Sequence, residues 1–444
     1  MRPSEALPHP AEWKKMTVGD AVEVKRGVSW SKEQESSLPR EGAVPVIRIS
    51  NVQDRLELHD LLFISGLKPK VIEKKRVSAD WSILVGSNGN RARIGNAVYV
   101  ADDTDMLFAS FLIAAKPKAE SEITPKFFYR WLRTEQVQSH LSASSEGSTG
   151  LSNLSHSFFN SMAIAHPERR EQEVIALLLD SVDSAIDIAS DSIQSAMRLK
   201  QAVTQDFFIS ALGDTAYANR PNRGLPEGWS LLPTNELILG EPKNGVSPTT
   251  FSQPPGTPTF SIAAIRDGRV DLAKTEHLKF AMLPAKIADK FRIAKGDVLI
   301  VRGNANPDLV GKAGQITTFP EGCIYPDITI RVKFRENIEH PVTPEYAVLA
   351  WNHPVVHNQI LRRAKTSNGT LKINKQDVKQ MILPVPPLDE QESITRLAGA
   401  CDQKKAALSE RLSALEELKK SLMHDLLTGT VRVDPRLFKE EEQA

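Results

Sequence analysis

PPLDEQESITRLAGACDQKKAAL, residues 386–408, and PERREQEVIALLLDSVDSAIDIA, residues 167–189, decide how this chain is read. Each carries Glu-Gln-Glu shortly after a proline, each then settles into a long helical pattern, and the two lie 219 positions apart. The surrounding sequence repeats as well. Gly150–Glu173 aligns with Gly369–Glu392 without a gap, placing Met162 on Met381, Ile164 on Leu383, Pro167 on Pro386 and Glu171-Gln172 on Glu390-Gln391. Upstream the offset becomes 216, so that ILVGSNGNRARIGNA (83–97) lies over LIVRGNANPDLVGKA (299–313) and Pro10-x-x-Trp13 over Pro226-x-x-Trp229. Gly27-Val28-Ser29 meets Gly245-Val246-Ser247 at offset 218. Ordered matches at a nearly constant spacing mark an internal duplication.

Each copy has two parts. The first consists of short apolar runs broken by Gly, Pro and Asn, such as VPVIRISNV (44–52), AVYVADD (97–103), DVLIVRG (297–303) and ITIRVKF (328–334). Their β-branched content predicts strands, and TPKFFYRWLRTEQVQSHL (124–141) predicts a helix among them. The second part keeps a seven-residue beat: Ile175, Val182, Ala189, Ala196 and Val203 in one copy, Ile394, Cys401, Leu408, Leu415 and Leu422 in the other. That spacing is the seam of a coiled coil. Leu178, Leu179, Ile186, Ile193, Leu199 and Phe207 widen the stripe in the first copy, and Leu397, Leu412, Leu418 and Leu426 in the second. Asp389 is a candidate cap for the second helix, with Glu392 three residues on, and Gly429 suits its end. About forty residues at 1.5 Å each make a rod of roughly 60 Å. The two stripes match in length and phase, so each is the natural antiparallel partner of the other. The expected organisation is a head over 1–165, a helix over 166–212, a linker over 213–228, a second head over 229–385, a second helix over 386–432 and a tail over 433–444.

Composition narrows the function. The 444 residues, 41% hydrophobic and 25% charged, leave room for two or three ordinary globular domains. No run of about eighteen apolar residues exists to span a membrane, and the opening MRPSEALPHPAEW has no apolar core of a secretion signal. Only Cys323 and Cys401 are present, too few for a disulfide framework or an all-cysteine zinc site, so a reducing cytoplasm is expected. The net charge of +1 hides a division: +2 over residues 1–165, −5 over 166–218, +7 over 219–387 and −3 over 388–444. Positive charge concentrated outside the helices suits a polyanion met by two separate surfaces.

Signatures of catalysis are absent. GNANPDLVGKA (303–313) spaces its glycines eight apart, and Ala313 stands where a phosphate loop has Ser or Thr. No His-Glu-x-x-His, paired Cys-x-x-Cys or Gly-x-Ser-x-Gly occurs, so neither a metal nor a cofactor is expected. His156, His166, His353 and His357 are expected as surface or loop residues. What remains is binding. Asn and Arg can bond adenine and guanine bidentately in the major groove. Asn88, Asn90, Arg91 and Arg93 in the first copy, and Arg302, Asn304, Asn306 and Lys312 in the second, are the candidates. The matched asparagines also suit tight turns. The unmatched Arg91, Arg93 and Arg302 are the stronger candidates for recognition, because heads that read different sequences should differ where they read. Arg362, Arg363 and Lys365 form a basic cluster suited to phosphates.

Together, Trp13 with VGDAVEVKRG, GDVLIVRGNANPDLVGKAG, and LPVPPLDEQESI leading to LEELKKSLMHDLLTGTVRV resemble the DNA-specificity subunit of type I restriction–modification systems. The likeness covers nearly the whole chain. The first copy departs from it, with HPERREQE in place of the Pro-Pro-Leu run and FFISALGD in place of LLTG. The resemblance implies an α+β fold class: two similar mixed α/β target-recognition domains separated by two long antiparallel coiled-coil helices, an internal repeat with pseudo-two-fold symmetry. It implies a non-catalytic subunit that binds double-stranded DNA, each domain reading half of a split target. The helices would set the spacer and dock two methyltransferase (modification) subunits, with separate restriction subunits for translocation and cleavage. The alternative from another class is an elongated two-headed protein–protein scaffold that does not bind nucleic acid.

Overall fold

The computed structural model describes residues 6–147, 150–212, 225–273, 275–367 and 369–434, without the side chains of residues 206, 207, 209–212, 275 and 367. Most of the expected linker, the tail beyond residue 434 and the side chain of Phe207 therefore lie outside the described residues. The content is mixed α/β with two long helices, Arg169–Leu212 and Leu388–Leu427. The chain divides into two compact units, Met1–Ser190 with Glu410–Ala444, and Asp191–Ser409. Each unit thus takes one run of strands and part of each long helix.

In the first unit, an antiparallel sheet runs in the order Val22–Arg26, Leu112–Pro117, Ser82–Val85, Ala97–Tyr99. Ser82–Val85 is buried along its whole length, as expected of a strand covered on both faces. A second sheet, Glu35–Ser36, Leu62–Ile64, Val44–Ile47 and Leu107–Phe108, lies beside it in sequence and builds its own small core around Val46, Ile64 and Leu107. The segment expected as one helix over 124–141 is two, Pro125–Leu132 and Glu135–Ala143. Thr124 caps the first and Thr134 the second, accepting from the backbone N–H of Phe127 and Val137. A residue committed to capping has non-helical backbone, so Thr134 ends one helix as it starts the next.

The second unit has a corresponding sheet in the order Lys243–Asn244, Thr329–Val332, Val298–Val301, Ala313–Gln315, extended by Arg269–Val270 and Ile265–Arg266. The helices Pro344–Asn352 and Pro354–Arg363 follow, capped by Thr343 and His353. Ile300, Ile330, Val356, Ile360 and Ile394 belong to one apolar cluster with Phe208.

The Glu-Gln pair that opens each long helix has a structural task. Gln172 is fully buried. Its Oε1 accepts from the N–H of Thr124 at 2.8 Å, and its Nε2 donates to the carbonyls of Glu122 and Pro167 at 3.0 and 2.9 Å. Gln391, also fully buried, accepts from Thr343 N–H at 3.0 Å and donates to Pro341 and Pro386 at 2.8 and 2.9 Å. One amide therefore ties the first turn of the long helix to the cap of the shorter helix it packs on. A buried side-chain amide persists only when satisfied in this way.

All ten seam residues are buried or half-buried: Ile175, Ala189, Ala196 and Ile394 fully, and Val182, Val203, Cys401, Leu408, Leu415 and Leu422 partly. The wider stripe needs correction. Leu199, Leu397 and Leu418 are 56%, 47% and 47% exposed, because they fall on the helix flank beyond the reach of the seam. The second long helix also starts earlier than Asp389. Gln391 N–H bonds to the carbonyl of Pro387, so Asp389 lies inside the first turn, where its charge favours the helix dipole. Gly429, past the last turn, adopts φ +67°, and a Cβ there would meet Pro10 Cδ at 2.5 Å.

Candidate nucleic-acid interface

The candidate loops leave the central sheet at matching places, between Ser82–Val85 and Ala97–Tyr99 in one unit and between Val298–Val301 and Ala313–Gln315 in the other. In both, the asparagines build the turn. Asn88 Oδ1 accepts from Asn90 N–H at 2.7 Å, and Asn90 Oδ1 from Ala92 at 3.1 Å. Asn304 accepts from Asn306 and Asn306 from Asp308, both at 2.9 Å. Each side chain mimics a backbone turn, leaving its amide N–H₂ as the group available for reading.

The arginines expected to read bases have spent much of their donor capacity. Arg91 donates from Nε to Ser142 O and Ser145 Oγ at 2.9 Å, and from Nη2 to Ala143 O at 2.6 Å and Ser145 O at 3.0 Å. It thereby satisfies the last carbonyls of the helix Glu135–Ala143. Arg93 Nη2 reaches Val52 O at 2.7 Å. Arg302 Nη1 donates to Asp327 Oδ1 at 2.9 Å. The Arg91 and Arg93 guanidinium groups fix their loop on its own unit.

Other candidates are freer. Lys312 is half-buried and Arg362 exposed; Arg363 donates to Gln380 Oε1 at 2.6 Å. Lys365 is exposed on a strand paired with Thr370–Lys372, facing Lys372, and Gly303–Asn304 pairs with the other edge of that strand. The fold thus brings Asn304, Lys365 and Lys372 onto one small three-stranded sheet. Lys372 was missed by the sequence reading; its local signal is only one lysine in a Thr-Leu-Lys run. Arg91 and Arg93 belong to the other unit and its loop.

The histidines differ from expectation. His166 is buried and bonded to Gln172 at 3.2 Å. His357 is buried; burial, then Lys312, holds its pKa down. His353 lies with its ring centroid 4.4 Å from that of Phe208, and burial lowers its pKa to about 4. Among the described residues, no group of three or more His, Cys, Asp or Glu is placed to hold a metal ion, and no helix is long and apolar enough to cross a membrane.

Comparison with known proteins gives the class. Residues 10–197 match the model of the type I restriction modification DNA specificity domain. The specificity subunit of the type I restriction enzyme EcoKI of Escherichia coli (strain K12) is 24% identical over 430 residues, covering 95% of this chain and 89% of that one. The StySPI specificity subunit of Salmonella potsdam is 22% identical over 425 residues, with the same coverage. Among solved structures, the S subunit of a type I restriction–modification system from M. genitalium superposes with a TM-score of 0.58 at 15% identity, covering 96% of this chain and 99% of that chain. A chain from a structural study of complex assembly in the type I system gives 0.54 at 17% identity, covering 96% and 100%. The chain is thus similar, over nearly its whole length, to DNA-specificity subunits of type I restriction–modification systems.

Proposed function

We propose that the chain is the non-catalytic specificity subunit of a type I complex and reads a bipartite sequence in double-stranded DNA, one half per target-recognition domain. The domains are 1–165 and 229–385. The long helices pair antiparallel, set the spacer between half-sites and dock two modification subunits, while restriction subunits join the same complex. Asn88, Asn90, Arg302, Asn304, Asn306, Lys312, Arg362, Arg363 and Lys365 are the proposed DNA contacts, with Arg91 and Arg93 holding their loop in place.

The observation that carries the helix pairing is a duplicated ion pair. Asp183 pairs with Lys419 at 2.7 Å in the first unit, and Lys200 with Asp402 at 2.7 Å in the second. Asp402 is the counterpart of Asp183 at offset 219, and Lys419 that of Lys200. When residue i meets j, and the counterpart of j meets the counterpart of i, the contact obeys two-fold symmetry. Position numbers rise along one helix as they fall along the other: Glu171 meets Arg432 in the first unit, and Phe208 shares a cluster with Ile394 in the second. That is the pattern of antiparallel helices.

The test has two arms. The purified chain alone should neither bind a methyl donor nor methylate DNA. Host DNA should carry a split methylated motif only when this gene and the modification subunits are both present. Methylation by the isolated chain, or an unaltered methylation pattern on deletion, would overturn the reading.

A further inference from the structure

Where exposed basic side chains recur at equivalent places in the two copies, the recurrence is informative. When residues 60–100 are laid over 276–316 at offset 216, basic side chains coincide at three positions: Lys70 with Lys286, Lys74 with Lys290 and Arg76 with Arg292. All three fall on one element. It is the helix Pro69–Lys75 with the residue after it in the first unit, and the consecutive turns Ala285–Ala288 and Asp289–Phe291 with the residue after them in the second. Arg91, Arg93, Arg302 and Lys312 in the same span have no basic counterpart.

The inner side of the element is used for packing. Leu67 and Ile72 lie against the cluster of Val46, Ile64 and Leu107, and Ala288 clusters with Ala281 and Ile324. The outer side is basic. Arg76 pairs with Asp105 at 3.0 Å and Arg292 with Asp289 at 2.7 Å. Lys70, Lys74, Lys286 and Lys290 are exposed, and among the described residues none of them has a hydrogen-bond or ion-pair partner. Residues 68–76 carry five basic side chains and one acidic, and residues 284–292 three and one. An i,i+4 spacing sets each pair of ammonium groups on one face of a helical turn.

Two domains that read different half-sites meet different bases but the same phosphates. Residues retained in both are therefore suited to phosphates, and residues that differ to bases. A lysine ammonium is a point charge on a flexible stem, without the rigid fork that reads a base edge. We propose that Lys70 with Lys74, and Lys286 with Lys290, are sequence-independent phosphate contacts to double-stranded DNA, one set in each recognition domain. This rests on the reading that both domains bind DNA. The exposed Val71 and Ile287 beside them would serve a protein surface, and the experiment separates the two partners.

The full chain, assembled with its host's modification subunits, is titrated with a duplex carrying its target and with a duplex whose half-sites are scrambled. Salt is varied between about 50 and 200 mM. Lys70→Ala with Lys74→Ala, and separately Lys286→Ala with Lys290→Ala, should each flatten the slope of log K against log salt by about 1.8, at roughly 0.9 per lost contact. Near 0.1 M salt that is a loss of roughly ten- to sixty-fold, equal for both duplexes. The paired Lys→Arg variants should keep the slope. If the unaltered complex binds neither duplex, the DNA reading fails and this proposal with it. If it binds, two results each overturn the proposal alone: unchanged slopes in the Ala variants, with or without loss of the modification subunits, or a loss confined to the target duplex.

Discussion

The same lysine–aspartate pair sits in two different settings. In the first unit Asp183 accepts from Lys419 and also from Arg130 Nη1 at 2.6 Å, while the other Arg130 nitrogen meets Asp180, which Lys126 holds at 2.6 Å. In the second unit the counterparts at offset 219 are Leu349 for Arg130, Gly399 for Asp180 and Glu345 for Lys126. No clamp forms there. Instead Lys200, Glu345, Leu349, Gly399 and Asp402 line a cleft of about 1210 Å³. The tryptophans tell the same story. Trp229 Nε1 donates to Glu390 Oε2 at 2.8 Å, whereas Glu171, the counterpart of Glu390, is taken by Arg432 at 2.6 and 2.7 Å, and Trp13 Nε1 has no partner among the described residues. The lysine–aspartate pair is present in both units, while the side chains that attach the neighbouring strands and helices to each helix segment differ. A contact under two-fold constraint must serve both copies; the attachments need only serve one.

The largest effect should come from the shared part. Gln172→Ala and Gln391→Ala each remove three hydrogen bonds to buried or partly buried backbone groups and leave a small void, costing about 3–5 kcal/mol. The loss should be alike in the two units by hydrogen exchange; a loss under 1 kcal/mol in either would mean the amide is not the tie. The clamp comes next. Arg130→Ala breaks a buried ion pair, which ordinarily costs about 3–5 kcal/mol. Because Asp180 and Asp183 keep Lys126 and Lys419 and are partly exposed, about 2 kcal/mol is expected, confined to the first unit. Arg432→Ala should cost about 1–2 kcal/mol by stranding the buried Glu171, and Glu171→Gln should recover part of it by removing the stranded charge.

Acid should separate the units. His353 is held near 4, so the folded second unit resists a proton that the unfolded chain takes up near 6.5. Its stability is full above about pH 6.5 and declines as pH falls toward 4. Burial alone would raise Asp183, but Arg130 and Lys419 outweigh it and hold the carboxyl below its usual range. Its contribution therefore persists above about pH 3.9 and is lost as pH falls through the depressed value. Unit-resolved exchange between pH 7 and 4 should show the second unit loosening first, and His353→Asn, which keeps an N-cap acceptor, should reduce that difference, leaving the part due to His357. Gly399→Ala should have the smallest effect, a gain of about 0.5–1 kcal/mol, because a Cβ there meets nothing within 4 Å.

Much of this was legible in the sequence because it repeats. The seam positions from Ile175 to Leu422 follow a period that only a long helix satisfies, and all ten lie at least half-buried. The loops at Asn88 and Asn304 could be located for the same reason. The partners of Arg91 and Arg93 could not, since Ser142–Ser145 and Val52 reach them only through the fold. The exposed Leu199, Leu397 and Leu418 were misread because leucine at helical spacing carries no sign of where the partner surface ends. The burial of His166 and His357 runs against expectation because a lone histidine carries no local sign of the packing around it. The split of 124–141 was written in Thr134, a capping residue inside an apparently continuous pattern.

The most direct test of the helices as the ruler lengthens them. Seven residues inserted after Ala196 and seven after Lys405, nearly opposite one another by the Lys200–Asp402 pair, keep the seven-residue seam and add about 10 Å at 1.5 Å per residue. Duplex DNA rises about 3.4 Å per base pair. With the modification subunits present, methylation of a library with fixed half-sites and variable spacer should shift to a spacer longer by roughly three base pairs, with both half-sites unchanged. A folded, active double-insertion variant that keeps the original spacer would contradict the claim.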